Sequence, residues 1–243
     1  MKKYLSVFGL FARSSVYKVL GIAGFLCILE TGLFLIQTSG ISSAQSISRF
    51  ERYVDMSRPY IWLAAAFILI TFVLCVPGSE FGSKTEYTIR RLSVSERAVF
   101  YCQAAYNTAV YMFLWAVQVF LLYVFGLWYM YKAPPELVGS LSVFLAFYRD
   151  SFMHSVMPLS DIMLWIRNFL LIVSLGFASA QFPYLHRRKK NSVFIVFASV
   201  FTLLCFVTDI GNTDNFIFSV ILFIITALKT VSDIYRREES YDE

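Results

Sequence analysis

Charge is scarce in this sequence. Only 15% of its 243 residues are charged, against 58% hydrophobic and 18% aromatic, a balance that excludes an ordinary water-soluble enzyme. Histidine is rarer still: there are two, His154 and His186, and no H-E-x-x-H string, so zinc hydrolase chemistry of that kind is not expected. No G-x-S-x-G elbow occurs either. The phosphate loop G-x-x-x-x-G-K-[ST] is also missing; the nearest string, Gly78-Ser79-Glu80-Phe81-Gly82-Ser83-Lys84, has the wrong spacing. The chain is therefore not expected to be an enzyme, to hydrolyse ATP alone or to hold a cofactor or metal of its own. Its four cysteines, Cys27, Cys75, Cys102 and Cys205, lie in or beside apolar runs, without the short regular spacing of a disulfide framework or a metal site. They read as small core hydrophobes. The net charge of +5 is split among short segments with no continuous basic face, so nucleic acid is not an expected partner.

What remains is long apolar runs, with a mean hydropathy of +0.64 over the chain. The segments between them are about 30 residues at most, below the roughly 40 that a self-sufficient soluble core needs. Residues 1–243 thus read as a single transmembrane domain, all-α, with the lipid bilayer as its solvent. Six spans are predicted, at about 19–37, 60–76, 108–131, 162–182, 192–208 and 215–231. Ser57-Arg58-Pro59 precedes the second, with proline in the first helical turn, and Pro77-Gly78 ends it. No charge separates Arg97 from Lys132, a run too long for one crossing, so the part before Thr108 is expected at the inner surface. Ser160 or Asp161 can cap the fourth span, which Pro183 is expected to close. Residues 136–158 are interrupted by Arg149, Asp150 and His154, and read as one or two outer interfacial helices or a re-entrant element.

Residues 2–18 place Leu5, Phe8, Phe11 and Ala12 at helical spacing beside polar residues, which predicts an N-terminal helix lying along the membrane surface. A cleaved signal peptide is the competing reading, disfavoured because Ser6 and Gly9 break the apolar stretch and a full span follows directly. Fifteen of the 21 Lys and Arg residues fall in one set of alternate segments and five in the other, with Arg167 inside a span. The positive-inside rule then puts both termini in the cytoplasm. Trp62, Trp128 and Trp165 fall near the predicted outer ends of their helices, where an aromatic belt sits.

Two intramembrane charges stand out, Glu30 in the first span and Arg167 in the fourth, at roughly 12 and 8 Å below the outer ends by helical rise. Their similar depth allows a buried ion pair that fixes packing, or charges that line a substrate or proton path. The other informative segment joins spans two and three, residues 80–97, where charge alternates with the apolar Tyr87, Ile89, Leu92 and Val94. That is the pattern of a short helix docked onto another protein.

This loop resembles the one in permease subunits of type-2 ABC transporters, where a coupling helix after span two runs into a Leu-Pro-Val-Ser-like string and a basic residue. Thr85 to Arg91 match the coupling helix, Leu92-Ser93-Val94-Ser95 the string, with Ser93 where proline is common, and Arg97 the basic residue. The layout is similar too, although in that family the outer interfacial helices usually precede the last span. The resemblance implies a membrane-spanning subunit of an ATP-driven transporter, an exporter, in a bacterial cell membrane. It further implies a separate ABC ATPase subunit carrying ATP and Mg, and a second permease copy or paralogue. Thr85, Glu86, Tyr87, Arg90 and Arg91 would form the docking surface. An ion-coupled secondary transporter using Glu30, and a non-transporting scaffold or sensor subunit, are the alternatives.

Overall fold

The computed structural model describes residues 2–39, 49–76, 94–133, 140–187, 190, 193–207 and 212–235. The described residues form helices joined by short non-helical junctions, without a strand. The helices are α1 (Lys2–Thr38), α2 (Phe50–Ser57), α3 (Pro59–Cys75), α4 (Glu96–Lys132), α5 (Ser140–Arg149), α6 (Ser151–Val156), α7 (Ile162–His186), α8 (Phe194–Val207) and α9 (Asn212–Tyr235).

Four of them, α1, α4, α7 and α9, are long and apolar enough to cross a membrane, and the pair α2–α3, bent by 42°, is a fifth candidate. Helix α8 is apolar but has only 14 residues, about 21 Å at the helical rise, short of a hydrocarbon core of about 30 Å. The surface is apolar: Phe25 and Ile28 of α1, Phe72 of α3, Phe120 of α4 and Leu228 of α9 are all exposed, while Glu30, Gln118, Arg167 and Asn168 are buried. Apolar surface on this scale is stable against lipid and not against water. The chain is an all-α, multi-pass membrane protein.

The expected separation between a surface helix over 2–18 and a span over 19–37 is absent: α1 is one unbroken helix of 37 residues. Its polar interruptions are absorbed locally, since Ser14 and Ser15 both donate to the Phe11 carbonyl, at 2.8 and 2.9 Å. The arm also has a protein surface to bury. Val7, Phe11 and Ser15, spaced by four, are sealed, Phe8 packs edge-on against Tyr106 of α4, and the Ser15 and Tyr106 hydroxyls are 2.8 Å apart. Likewise α4 runs unbroken from Glu96 through Lys132, so the stretch before Thr108 is the first three turns of the same helix. Ser95 caps it by accepting from the Ala98 N–H.

Pro183 does not end α7, which continues to His186. A proline inside a helix strips its i−4 carbonyl of a donor, here that of Ser179, and Cys75 Sγ of α3 donates to that carbonyl at 3.9 Å. The other boundaries have local causes. Arg58 joins α2 to α3 in the left-handed region at φ 49°, ψ 52°, with Pro59 as the first residue of α3. Asp161 caps α7 by accepting from Met163 N–H at 2.9 Å. Within residues 136–158 lie α5 and α6, hinged at Asp150, whose carboxylate accepts from Met153 N–H at 2.7 Å.

The contacts fix the direction of the legs. Along α1 and α4 the numbers rise together, from Ser15 with Tyr106 to Glu30 with Gln118 and Phe34 stacked on Phe125 at 4.4 Å, so these helices are parallel. Helix α7 runs antiparallel to α4, with Trp165 against Trp115 and Tyr184 against Phe100. Helix α9 is parallel to α7, its Ile234 buried in one cluster with Ala180, Tyr184, Leu185 and Phe100. The first turns of α1 and the last turns of α9 therefore share one end of the bundle.

Candidate functional site

The sequence marks two kinds of site, intramembrane charge and a polar interhelical loop. Of the loop, Val94 to Arg97 are described; Thr85, Glu86, Tyr87, Arg90 and Arg91 lie outside the described residues. The loop is bounded by helix ends at known positions. Cys75 at the end of α3 reaches the Ser179 carbonyl near the end of α7. Cys102, in the second turn of α4, donates to the Tyr4 carbonyl of α1.

Inside the bundle, polar side chains gather where helices approach most closely. At the crossing of α4 with α7, Gly176 lies against Thr108, and a Cβ at Gly176 would come 2.9 Å from the Thr108 N and Cα. Only a hydrogen fits there. One turn further along α7, Ser179 accepts from Asn107 Nδ2 at 2.9 Å and donates to the Gly176 carbonyl. Tyr111, next on the same face of α4, bonds Thr71 of α3 at 2.8 Å, and Thr71 in turn donates to the Phe67 carbonyl. Small residues that admit close backbone approach, with hydroxyl and amide bonds across the gap, hold membrane helices at about 0.6–2 kcal/mol per bond. This seam joins α3, α4 and α7 into one body.

Glu30 and Arg167, the two charges singled out by their position in apolar runs, are both buried, at 1% and 2% exposure. They are not brought together, and the ion pair their depth allowed is not formed among the described residues. Glu30 Oε2 accepts from Gln118 Nε2 of α4 at 2.9 Å. Arg167 bonds Asn168 Oδ1 through Nε at 3.1 Å and through a terminal nitrogen at 2.9 Å, and the latter also reaches Ser155 Oγ at 2.8 Å. Asn168 Nδ2 donates to the Ser155 carbonyl, and Ser155 Oγ to the Cys205 carbonyl of α8. The arginine thus ties α7 to α6 and α8 at the far end of the bundle from residues 2 and 235. The acceptors Ser155 and Asn168 lie on α6 and on α7 itself, and Ser155 carries the contact on to α8. Glu30 lies between α1 and α4 instead.

The partners that sequence reasoning missed are neutral: Gln118, Asn168, Ser155, Asn107 and Ser179. A signal existed in α4, where Gln103, Asn107, Tyr111 and Gln118 follow i, i+4, i+8, i+15 and so line one face of the charge-free stretch between Arg97 and Lys132. At the opposite end of the bundle from Arg167, Gln181 Nε2 donates to Asp233 of α9. Outside the spans, burial pushes the Asp150 carboxyl up to about 6, opposed by its bond from Met153 N–H and assisted by the charge of Asp55.

Comparison of the chain with protein-family models, with curated proteins and with solved structures finds no match.

Proposed function

We propose that this chain is the membrane-spanning subunit of an ATP-driven ABC transporter, an exporter in a bacterial cell membrane, with six transmembrane helices and both termini cytoplasmic. On this reading α8 is the fifth span despite its length, completed by residues beside it or by local thinning of the bilayer. ATP and Mg belong to a separate ATPase subunit, and a second permease copy or a paralogue completes the path.

The observation that carries the reading is the position of the helix ends on either side of residues 80–97. The helix ends that flank this loop, Cys75 and the first turns of α4, pack at the end of the bundle that also holds Tyr4 and Ile234. That end is the one where Lys and Arg concentrate, including Arg187 to Lys190 after α7, which supports a cytoplasmic assignment. A sequence of mixed charge and apolar residues that joins two helix ends at that end of the bundle suits a docking surface for a partner. Closure of the partner on ATP would press on Thr85, Glu86, Tyr87, Arg90 and Arg91, and the α3–α4–α7 seam would carry the push as a rigid body. Nucleotide can act in this way only by favouring one of two packings. Recovery of an ATP-binding subunit with the chain from its native membrane tests the proposal.

A further inference from the structure

We propose that Glu30 and Gln118 form a proton-binding site. One proton on the Glu30 carboxyl bridges to the Gln118 amide oxygen and closes a cyclic acid–amide pair that ties α1 to α4.

The two side chains already share one hydrogen bond, from Gln118 Nε2 to Glu30 Oε2 at 2.9 Å. Each has a second oxygen, Glu30 Oε1 and Gln118 Oε1, and both are buried without a hydrogen-bond partner. Each of these oxygens shares a carbon with an atom of the existing bond, and the ring forms with the two on the same side of it. Two acceptor oxygens give each other nothing, and leaving both unpaired in a buried site is costly. A single proton between them satisfies both. Exchanging the nitrogen and oxygen of the amide gives the same ring, with the proton on the other carboxyl oxygen.

The surroundings favour the neutral acid. Glu30 is 1% exposed and Gln118 fully buried. Helix α4 carries no charge between Arg97 and Lys132, and α3 carries none, its titratable groups being Tyr60 and Cys75 near its two ends. On α1 the next charge is Lys18, three turns away, and Cys27 is the titratable neighbour one turn before. On α4, Tyr111 lies two turns below Gln118 and is bonded to Thr71; Tyr123 lies above it and is exposed. The charges of α2, Glu51, Arg52 and Asp55, lie beyond an aromatic layer in which Phe34 stacks on Phe125 and meets Phe50. A carboxylate here would have one neutral donor and no cation among the described residues, whereas the acid has two complementary bonds. The proton is held in place and acts as part of the α1–α4 contact, whatever the transporter assignment.

Infrared spectroscopy of the full chain in lipid nanodiscs, with ¹³C-labelled glutamate, tests this. The expected result at neutral pH is a labelled carbonyl band of a protonated carboxyl, lost in Glu30→Gln, with that variant melting close to the wild type because an amide pair keeps both hydrogen bonds. A folded wild type without a labelled acid band overturns the proposal. Gln118→Leu provides a reading that does not depend on the Glu30 variant folding. A shift of the acid band toward the frequency of an unbonded carboxyl supports the ring, and an unmoved band overturns it.

Discussion

Gly176 of α7 and Thr108 of α4 meet backbone to backbone: a methyl group at Gly176 would sit 2.9 Å from the Thr108 Cα and N. The seam that joins α3, α4 and α7 depends on that approach. Gly176→Ala is expected to destabilise by about 1–3 kcal/mol, the usual cost of overpacking. Thr108→Ala should restore it only in part, because it removes the hydroxyl, which is the nearest obstacle, but leaves the main-chain N and Cα at 2.9 Å. Thermal unfolding of the purified single and double variants checks both statements.

The hydroxyl pair Tyr111–Thr71, at 2.8 Å, is expected to contribute about 0.5–1.5 kcal/mol. Tyr111→Phe and Thr71→Val should each lower stability, and the double variant should lose less than the two losses added, because both remove the same bond. A strictly additive double-mutant cycle would show that the bond adds nothing.

Asp150 gives the fold a dependence on pH. Its carboxyl is raised from 3.8 to about 6, burial being the main cause, so the folded chain holds this proton more tightly than the unfolded chain does. The resulting stabilisation is fully present below about 4 and is lost as pH rises through about 6. Asp150→Asn keeps a side chain able to cap α6 and removes the titration. The melting temperature of the wild type should therefore fall relative to this variant across that interval, and parallel profiles would contradict the assignment.

Separate partners for the two intramembrane charges predict the outcome of a charge swap. Glu30 is held by Gln118 of α4, and Arg167 by Ser155 and Asn168. Glu30→Arg combined with Arg167→Glu should be no better folded than either single reversal, measured as protein recovered in the membrane. Recovery in the double variant would mean that the two residues are coupled after all.

Much of this architecture was legible in the sequence, and the exceptions have physical reasons. Apolar runs locate the long helices because lipid demands them, and Pro59 and Asp161 mark helix starts through chemistry that acts within a few residues. The errors came from interactions between distant segments. Pro183 reads as a stop unless Cys75 is known to serve the Ser179 carbonyl. Residues 2–18 read as a helix separate from the span unless Tyr106 and the buried stripe Val7, Phe11 and Ser15 are known to meet. Glu30 and Arg167 were visible as charges in apolar runs, whereas their partners were not, because a neutral Gln or Asn becomes informative only once two helices are set against each other. Helix α2 was missed because its eight residues are polar overall and follow no span-like pattern.

The proposed coupling to an ATPase is tested most directly by purifying the chain from its native membrane in mild detergent, with mass spectrometry of the recovered subunits and an ATP hydrolysis assay of the complex. The account predicts an ATP-binding subunit in stoichiometric amount and ATPase activity in the complex. Both should be lost when Glu86 and Arg90 are changed to alanine, while the chain itself stays folded. A pure chain with no nucleotide-binding partner, or a complex indifferent to Glu86→Ala and Arg90→Ala, would contradict it.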